Sequence, residues 1–490
     1  MRIFSLSAVL PALMLALSAC TRATPPDPQL VAQWLRSSLA VTRSERLGPN
    51  VAARISAYAS LALYEGYASD SRSSLRSLAG QLNDLGALPA PSGDVDGATV
   101  AAAAERVVLD SLFRDGLPST RRTVNTLSAA QIEARVSAGV SRSVSQRSTE
   151  HGTALGKAVL AWAATDSFYA TRGRPWAPPQ GRQYWVNTAT QDQFVPHALS
   201  GESDVVMKTN SGITLDAERA STRSLFVNRP RASGKTTLPY FDPVKPTEPY
   251  WGVLRTFVLQ NGDDCRPPAP PVYSEQPGSP FHEMARAFYD TVKAVTPEKR
   301  QIALFWADNP IATGTPAFHW FSVLNQMVSL RHLSAERSVE VYALTSIAIA
   351  DAFIGCWREK YRSYVVRPVT YVNRVFDPKY ATIFPTPPFP EYASGHSVIS
   401  GAAVEVLIRF LGDSTAYLDS TQMDIGLPPR SYKSLSVARK EVAMSRVYGG
   451  IHYMNAVQDG LVQGQCIGNR VLQRLKTRRE PVSGDRSTGS

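Results

Sequence analysis

Apolar residues recur at three- and four-residue spacing over the first third of the chain, which is the signature of helices with one buried face. Val31, Trp34, Leu35 and Leu39 share one such face, and Ile55, Ala59, Leu63 and Tyr67 share another. Similar runs span 100–112, 127–144 and 154–169, with breaks at Gly48-Pro49-Asn50 and Ser92-Gly93-Asp94, where the turn residues stand. Residues 21–175 are therefore predicted to form an N-terminal helical bundle. Over 176–278 the periodicity fades and proline accumulates, as at Pro178 and Pro179 or in the run from Pro267 to Pro271. That composition predicts a connecting region of isolated turns and a hairpin. Helical spacing returns at Phe281 and continues to about Leu475. Its clearest stretch starts at Ser334, a predicted N-cap, and runs through Val341, Leu344, Ile347 and Phe353 to Lys360. Two further helices are expected over 398–410 and 437–448. The fold expected is mainly α: two helical bundles, the second over 279–478, joined by a Pro-rich irregular region and followed by a disordered tail at 479–490.

Composition agrees with a packed protein, at 490 residues with 43% hydrophobic and 19% charged. Residues 1–20 read instead as a processing segment. Arg2 precedes an apolar stretch from Phe4 to Leu17, and Leu17-Ser18-Ala19-Cys20 resembles a bacterial lipobox. This implies cleavage before Cys20 and lipidation of its thiol. Thr21 in the next position resembles lipoproteins sorted to the outer membrane, so the expected location is the periplasmic face of that membrane, with membrane contact through the anchor alone. Three cysteines remain, Cys265, Cys356 and Cys466, enough for one disulfide, and their spacing matches no zinc pattern. The net charge of +11 is scattered rather than blocked with aromatics, which argues against nucleic acid and leaves a cationic surface that attracts anionic substrates. Ser233-Gly234-Lys235-Thr236 looks like the end of a phosphate-binding loop, but Arg229 occupies the position of its leading glycine.

The chemistry concentrates between residues 360 and 460. Lys360 and Arg367, seven apart, would project from nearly one helix face, with Pro368 placing Arg367 at or near the helix end. The proline-dense segment from Pro385 to Pro390 forms an extended wall up to Tyr392. Ser394 then caps a helix starting at Gly395, where backbone N–H groups face outward and His396 sits in the first turn. Ser445 and Arg446 close another helix at Gly449-Gly450, and His452 opens the next. Three cations, neutral donors from Ser394 and the Gly395 amide, and two imidazoles match a tetrahedral oxyanion. Asp351, inside an apolar helical run, needs a partner and is expected to pair with Arg446 or another site cation.

Lys360 with Arg367-Pro368, then Tyr392-Ala393-Ser394-Gly395-His396, then Ser445-Arg446 with His452, resemble in order and spacing the three motifs shared by type 2 phosphatidic acid phosphatases and vanadium-dependent haloperoxidases. Phe305-Trp306-Ala307-Asp308, His319-Trp320 and the stretch from Thr386 to Tyr392 are similar to soluble bacterial haloperoxidase-like proteins, as is the early run from Arg54 to Glu65. The resemblance implies a C-terminal bundle of the acid phosphatase/vanadium haloperoxidase type, with vanadate as cofactor and hydrogen peroxide and halide as substrates. His452 would bond vanadium and His396, opposite, would be the acid/base. Lys360, Arg367, Ser394, Gly395 and Arg446 would hold the oxygens, with Lys360 polarising bound peroxide. The same residues imply, as alternatives, an acid phosphatase acting on phosphomonoesters through a phosphohistidine at His452, or a weakly catalytic phosphate-binding lipoprotein. One position departs from the motif: an Asp that steadies the covalent His is replaced by Ala456. Asp459, seven beyond His452, is the expected substitute, with Asn455 a weaker one.

Overall fold

The computed structural model describes residues 23–189, 242, 244–309 and 313–479. The lipobox with Cys20, residues 233–236 and the tail from 480 onward lie outside the described residues. In the N-terminal part, α1 (Gln29–Ser44), α2 (Pro49–Ala68), α3 (Gly97–Leu112), α4 (Pro118–Ser137), α5 (Arg142–Ala163) and the short α6 (Phe168–Thr171) follow one another. The single run expected over 127–144 is divided between α4 and α5. Gly139, at φ +100°, takes a backbone conformation that ordinary residues rarely adopt, and Ser141 caps the next helix through its contact with the Val144 amide.

The C-terminal part contains α7 (Pro280–Lys293), α8 (Pro297–Phe305), α9 (Thr315–Leu330), α10 (Ala335–Ser363), α11 (Pro368–Val375), α12 (Gly395–Leu411), α13 (Leu435–Tyr448) and α14 (Met454–Arg474). Between α12 and α13 a short antiparallel pair, β1 (Tyr417–Asp419) and β2 (Arg430–Tyr432), sets Tyr417 opposite Tyr432. No strand pair of this kind forms among the described residues of the Pro-rich region, where a hairpin was expected. That segment instead lies along the helices through side-chain and loop hydrogen bonds such as Trp185 N–H to Tyr364 O.

Helix α10 is the axis of the molecule. Ser334 caps it by accepting from the Arg337 amide, and its apolar side chains are buried on every face. It is long and apolar enough to cross a membrane, yet it is enclosed by protein, with α2, α12, α14 and the 251–253 turn packed around it. The buried apolar side chains of the N- and C-terminal helices form one continuous core. Two helices that carry the site, α12 and α14, approach backbone to backbone: a Cβ on Gly464 would lie 2.1 Å from the Val398 carbonyl oxygen. A disulfide joins Cys265 to Cys466 and ties the irregular segment to α14, while Cys356 is a free, buried thiol.

Candidate active site

The second and third segments line one open cavity, and the first stands behind its wall. His396, Gly395, Arg446 and His452 line the cavity together with Asp308, and Trp357, Phe384, Pro385, Pro387 and Phe389 form its apolar wall. Both imidazoles thus face one cavity, as expected.

The first segment departs in detail from the expectation. Helix α10 ends at Ser363, Tyr364 turns with φ +49°, and Arg367 stands beyond the helix as the residue before Pro368 and α11. Its guanidinium still reaches the site, donating to the carbonyls of Phe389 (3.1 and 2.9 Å) and Ile451 (2.9 Å), with Nη1 3.2 Å from His452 Nε2. Lys360 is completely buried, and its ammonium donates to the carbonyls of Pro390, Glu391 and Ala393 at 3.0, 3.0 and 2.6 Å. It therefore holds the 390–393 wall in place and contributes to the cavity mainly as positive charge. Burial and the nearby Arg367 push its pKa down to about 7 against the pull of Cys356 and Glu391.

In the second segment, Ser394 precedes α12 without capping it, and its hydroxyl has no hydrogen-bond partner although it is fully buried. The first N–H groups of α12 have no acceptor inside the helix, and Gly395 has no side chain to cover them. A Cβ there would touch Trp357 at 3.7 Å. In the third segment, Arg446 donates to the Trp306 carbonyl at 2.6 Å, while its Nε is buried without a partner. Burial pushes its pKa down to about 9, and that of Arg367 to about 10. Arg446 thus brings both positive charge and an unpartnered donor to a desolvated cavity wall. An anion answers both.

His452 stands at the start of α14, whose first residue is Met454. Its Nδ1 is 2.8 Å from Glu391 Oε1, which also accepts the Tyr453 amide at 3.0 Å. Burial, with Arg367, Lys360 and Arg446 around it, keeps this imidazole neutral. A neutral ring that gives its Nδ1 proton to a carboxylate offers a lone pair at Nε2, the atom that faces Arg367. Glu391 is therefore the residue that orients His452. Asp459, the expected orienter, instead accepts from the Tyr392 hydroxyl at 2.9 Å. Ala456 is buried and its carbonyl accepts the Ser394 amide at 3.0 Å, so the position that departs from the motif locks the second segment against the third. Sequence spacing alone could not single out Glu391, because it is 61 residues from its partner; its signal was a lone acid inside an otherwise apolar, proline-rich wall.

Asp351 does not pair with Arg446 or with another cation of the site. Its carboxylate accepts the amides of Phe257, Val258 and Leu259 at 2.6, 2.8 and 3.1 Å, anchoring the irregular segment onto α10. Three backbone donors satisfy a buried carboxylate where its helix position keeps it away from the cations. Asp308 takes the place expected for Asp351, with Oδ2 3.4 Å from His396 Nε2. Burial and Arg446 push His396 down to about 4, against the opposing pull of Asp308, so this imidazole too is neutral at rest.

A neutral, oriented imidazole, a second one beside a carboxylate, three buried cations and free neutral donors define a buried oxyanion centre on a helical scaffold. A family model described as the second helical-bundle domain of VCPO matches residues 340–481. The chain is similar to the crystal structure of the first bacterial vanadium-dependent iodoperoxidase, with 30% sequence identity and a TM-score of 0.75, covering 94% of this chain and 99% of the other. It shares its fold with bacterial vanadium-dependent chloroperoxidase in holo and apo forms, at 16% and 14% identity, TM-scores of 0.57 and 0.58, covering 92% and 88% of this chain and 96% and 95% of those. No curated protein matches. The chain belongs to the vanadium-dependent haloperoxidase family.

Proposed function

We infer that this protein is a vanadate-dependent haloperoxidase that oxidises halide with hydrogen peroxide. The observation that carries the reading is one cavity lined by His396, Arg446 and His452, with the Arg367 guanidinium 3.2 Å from His452 Nε2 and Arg446 Nε buried without a partner. The donor set fits vanadate: His452 Nε2 would bond the metal, and Arg367, Arg446, Ser394 and the Gly395 amide would hold its oxygens, with Lys360 adding charge from behind the wall. Bound vanadate supplies a Lewis-acid centre that activates peroxide toward two-electron oxidation of halide. The protein's part is to keep His452 neutral by burial among Arg367, Lys360 and Arg446 and oriented by Glu391, to exclude water with the aromatic and proline wall, and to exchange a proton with incoming peroxide at His396. Asp308 Oδ2 lies 3.4 Å from Nε2 of that ring, within ion-pair reach but without a formed hydrogen bond.

Attachment to the cell envelope through Cys20 completes the reading. It is supported by the lipobox-like sequence and by the Cys265–Cys466 disulfide, which suits an oxidising compartment. The purified protein, loaded with vanadate, is tested for peroxide-dependent iodide and bromide oxidation and, without vanadate, for p-nitrophenyl phosphate hydrolysis. Halide oxidation that disappears in His452→Ala is expected; robust ester hydrolysis with no halide oxidation would replace this reading with the phosphohistidine one.

A further inference from the structure

Behind His396 lies a row of buried charged groups that the reaction as described does not use. Asp308 follows α8, His319 lies on the next helix, α9, and Asp419 comes from β1, 100 residues beyond His319. His319 Nδ1 is 2.8 Å from Asp308 Oδ1 and its Nε2 is 3.1 Å from Asp419 Oδ2. All three side chains are at most 1% exposed. With a carboxylate oxygen at each nitrogen the ring is favoured as an imidazolium, which the pull of Asp308 and Asp419 supports against burial, although the Gln422 amide nitrogen also lies 3.0 Å from Nδ1. Trp306 stacks on it at 4.1 Å between ring centroids, Phe305 lies at 5.5 Å, and the Gln422 amide sits 3.2 Å from Asp308 Oδ1. Asp419 is held in turn by the Thr421 amide and hydroxyl at 3.0 and 2.7 Å. The His319 ring is thus clamped between two carboxylates one layer behind the cavity.

We propose that His319 and Asp419 are positioning residues: they pin the Asp308 carboxylate against His396 Nε2, which fixes the proton of the acid/base imidazole on Nε2 and leaves Nδ1 directed to the cavity. This rests on the role given above to His396. A carboxylate that fixes the tautomer of an imidazole is a known way to ready it as a base. Here the carboxylate is itself held on its far side, at Oδ1, by a cation. Without that cation Asp308 would keep only the neutral Gln422 amide at Oδ1, beside His396 and Arg446, and would be freer to turn or to take up a proton, in either case weakening its hold on Nε2. A purely structural account explains the row less well, because packed apolar side chains of similar size fill such a space at no greater cost.

The test compares wild type, His319→Gln and Asp419→Asn. The first readout is the ¹⁵N shifts of the His396 ring in vanadate-free protein at neutral pH. Wild type is expected to show the proton on Nε2; the variants are expected to show a mixture of tautomers, larger in His319→Gln than in Asp419→Asn, where the amide oxygen can still accept from His319. The second is the division of loss in the loaded enzyme: kcat down about tenfold or more, with the dissociation constant for vanadate within about threefold of wild type. If His319→Gln fails to fold, Asp419→Asn carries both readouts. An unchanged His396 tautomer in the folded variants would overturn the proposal, as would a kcat loss matched by an equal loss of vanadate affinity. The nitrogen shifts need no turnover, so a wild type that oxidises no halide but shows the tautomer change would sink the proposed reaction and leave the pairing standing.

Discussion

Burial pushes the Glu391 carboxyl up to about 7 against Arg367 and Lys360, so above that pH replacing Glu391 with Gln keeps the shape of the side chain and removes the charge that accepts the His452 Nδ1 hydrogen bond. Glu391 Oε1 sits 2.8 Å from that nitrogen, in a place with no solvent exposure, so water cannot substitute for it. A hydrogen bond to a charged acceptor is worth about 1.5–3 kcal/mol, which at about 1.4 kcal/mol per factor of ten is roughly a tenfold to 150-fold effect. The same range, about 10–100-fold, is typical when the partner that orients a metal-binding histidine is changed. The amide can still accept from the Tyr453 N–H, so the local backbone should hold. Vanadate binding to the metal-free protein, followed by titration calorimetry, should weaken by about that factor, and iodide oxidation at a fixed, sub-saturating vanadate concentration should fall with it. Affinity and turnover both within twofold of wild type, in a variant whose circular dichroism and melting are unchanged, would refute the claim that Glu391 orients His452.

Lys360 is depressed to about 7 by burial, and a bound anion would draw its pKa upward, so binding takes up a proton above that pH. The affinity for tungstate, a dianion that does not itself titrate in this range, should be level below pH 7 and weaken as the pH rises from 7 to 9; calorimetric affinities that stay flat across that interval would contradict this. Asp351→Ala strands three buried amides and should cost about 3 kcal/mol or more, read as a lower urea midpoint, while the folded fraction still binds vanadate normally. Replacing Cys265 and Cys466 together with Ser opens a loop closed across 201 positions and should lower stability by about 2–4 kcal/mol, again with unchanged anion affinity, because neither residue touches the cavity.

The helical class and the three converging segments were legible because their signals are local. Periodicity marks a buried face, Gly395 marks an open helix start, and the Gly449-Gly450 pair marks the turn that brings Arg446 and His452 together. What was not legible depends on long-range partners. Asp351 satisfies itself on amides 92–94 residues away in a segment without secondary structure, so no spacing rule links them. Glu391 and Asp308 reach their imidazoles across folds of the chain, and Asp459 looked suitable only because it sits in the same helix as the site. The division of α4 from α5 at Gly139 was visible in principle, since a glycine interrupted the run. Arg367 shows the same limit on a smaller scale: Pro368 told where the helix must stop, but not that Tyr364 would already have turned out of it.

A crystal structure of the protein soaked with vanadate tests the central claim most directly. The account predicts vanadium bonded to His452 Nε2, with its oxygens held by Arg367, Arg446, Ser394 Oγ and the Gly395 amide. Vanadate bound elsewhere, or a cavity that excludes it while His452 Nε2 stays on Arg367, would contradict it.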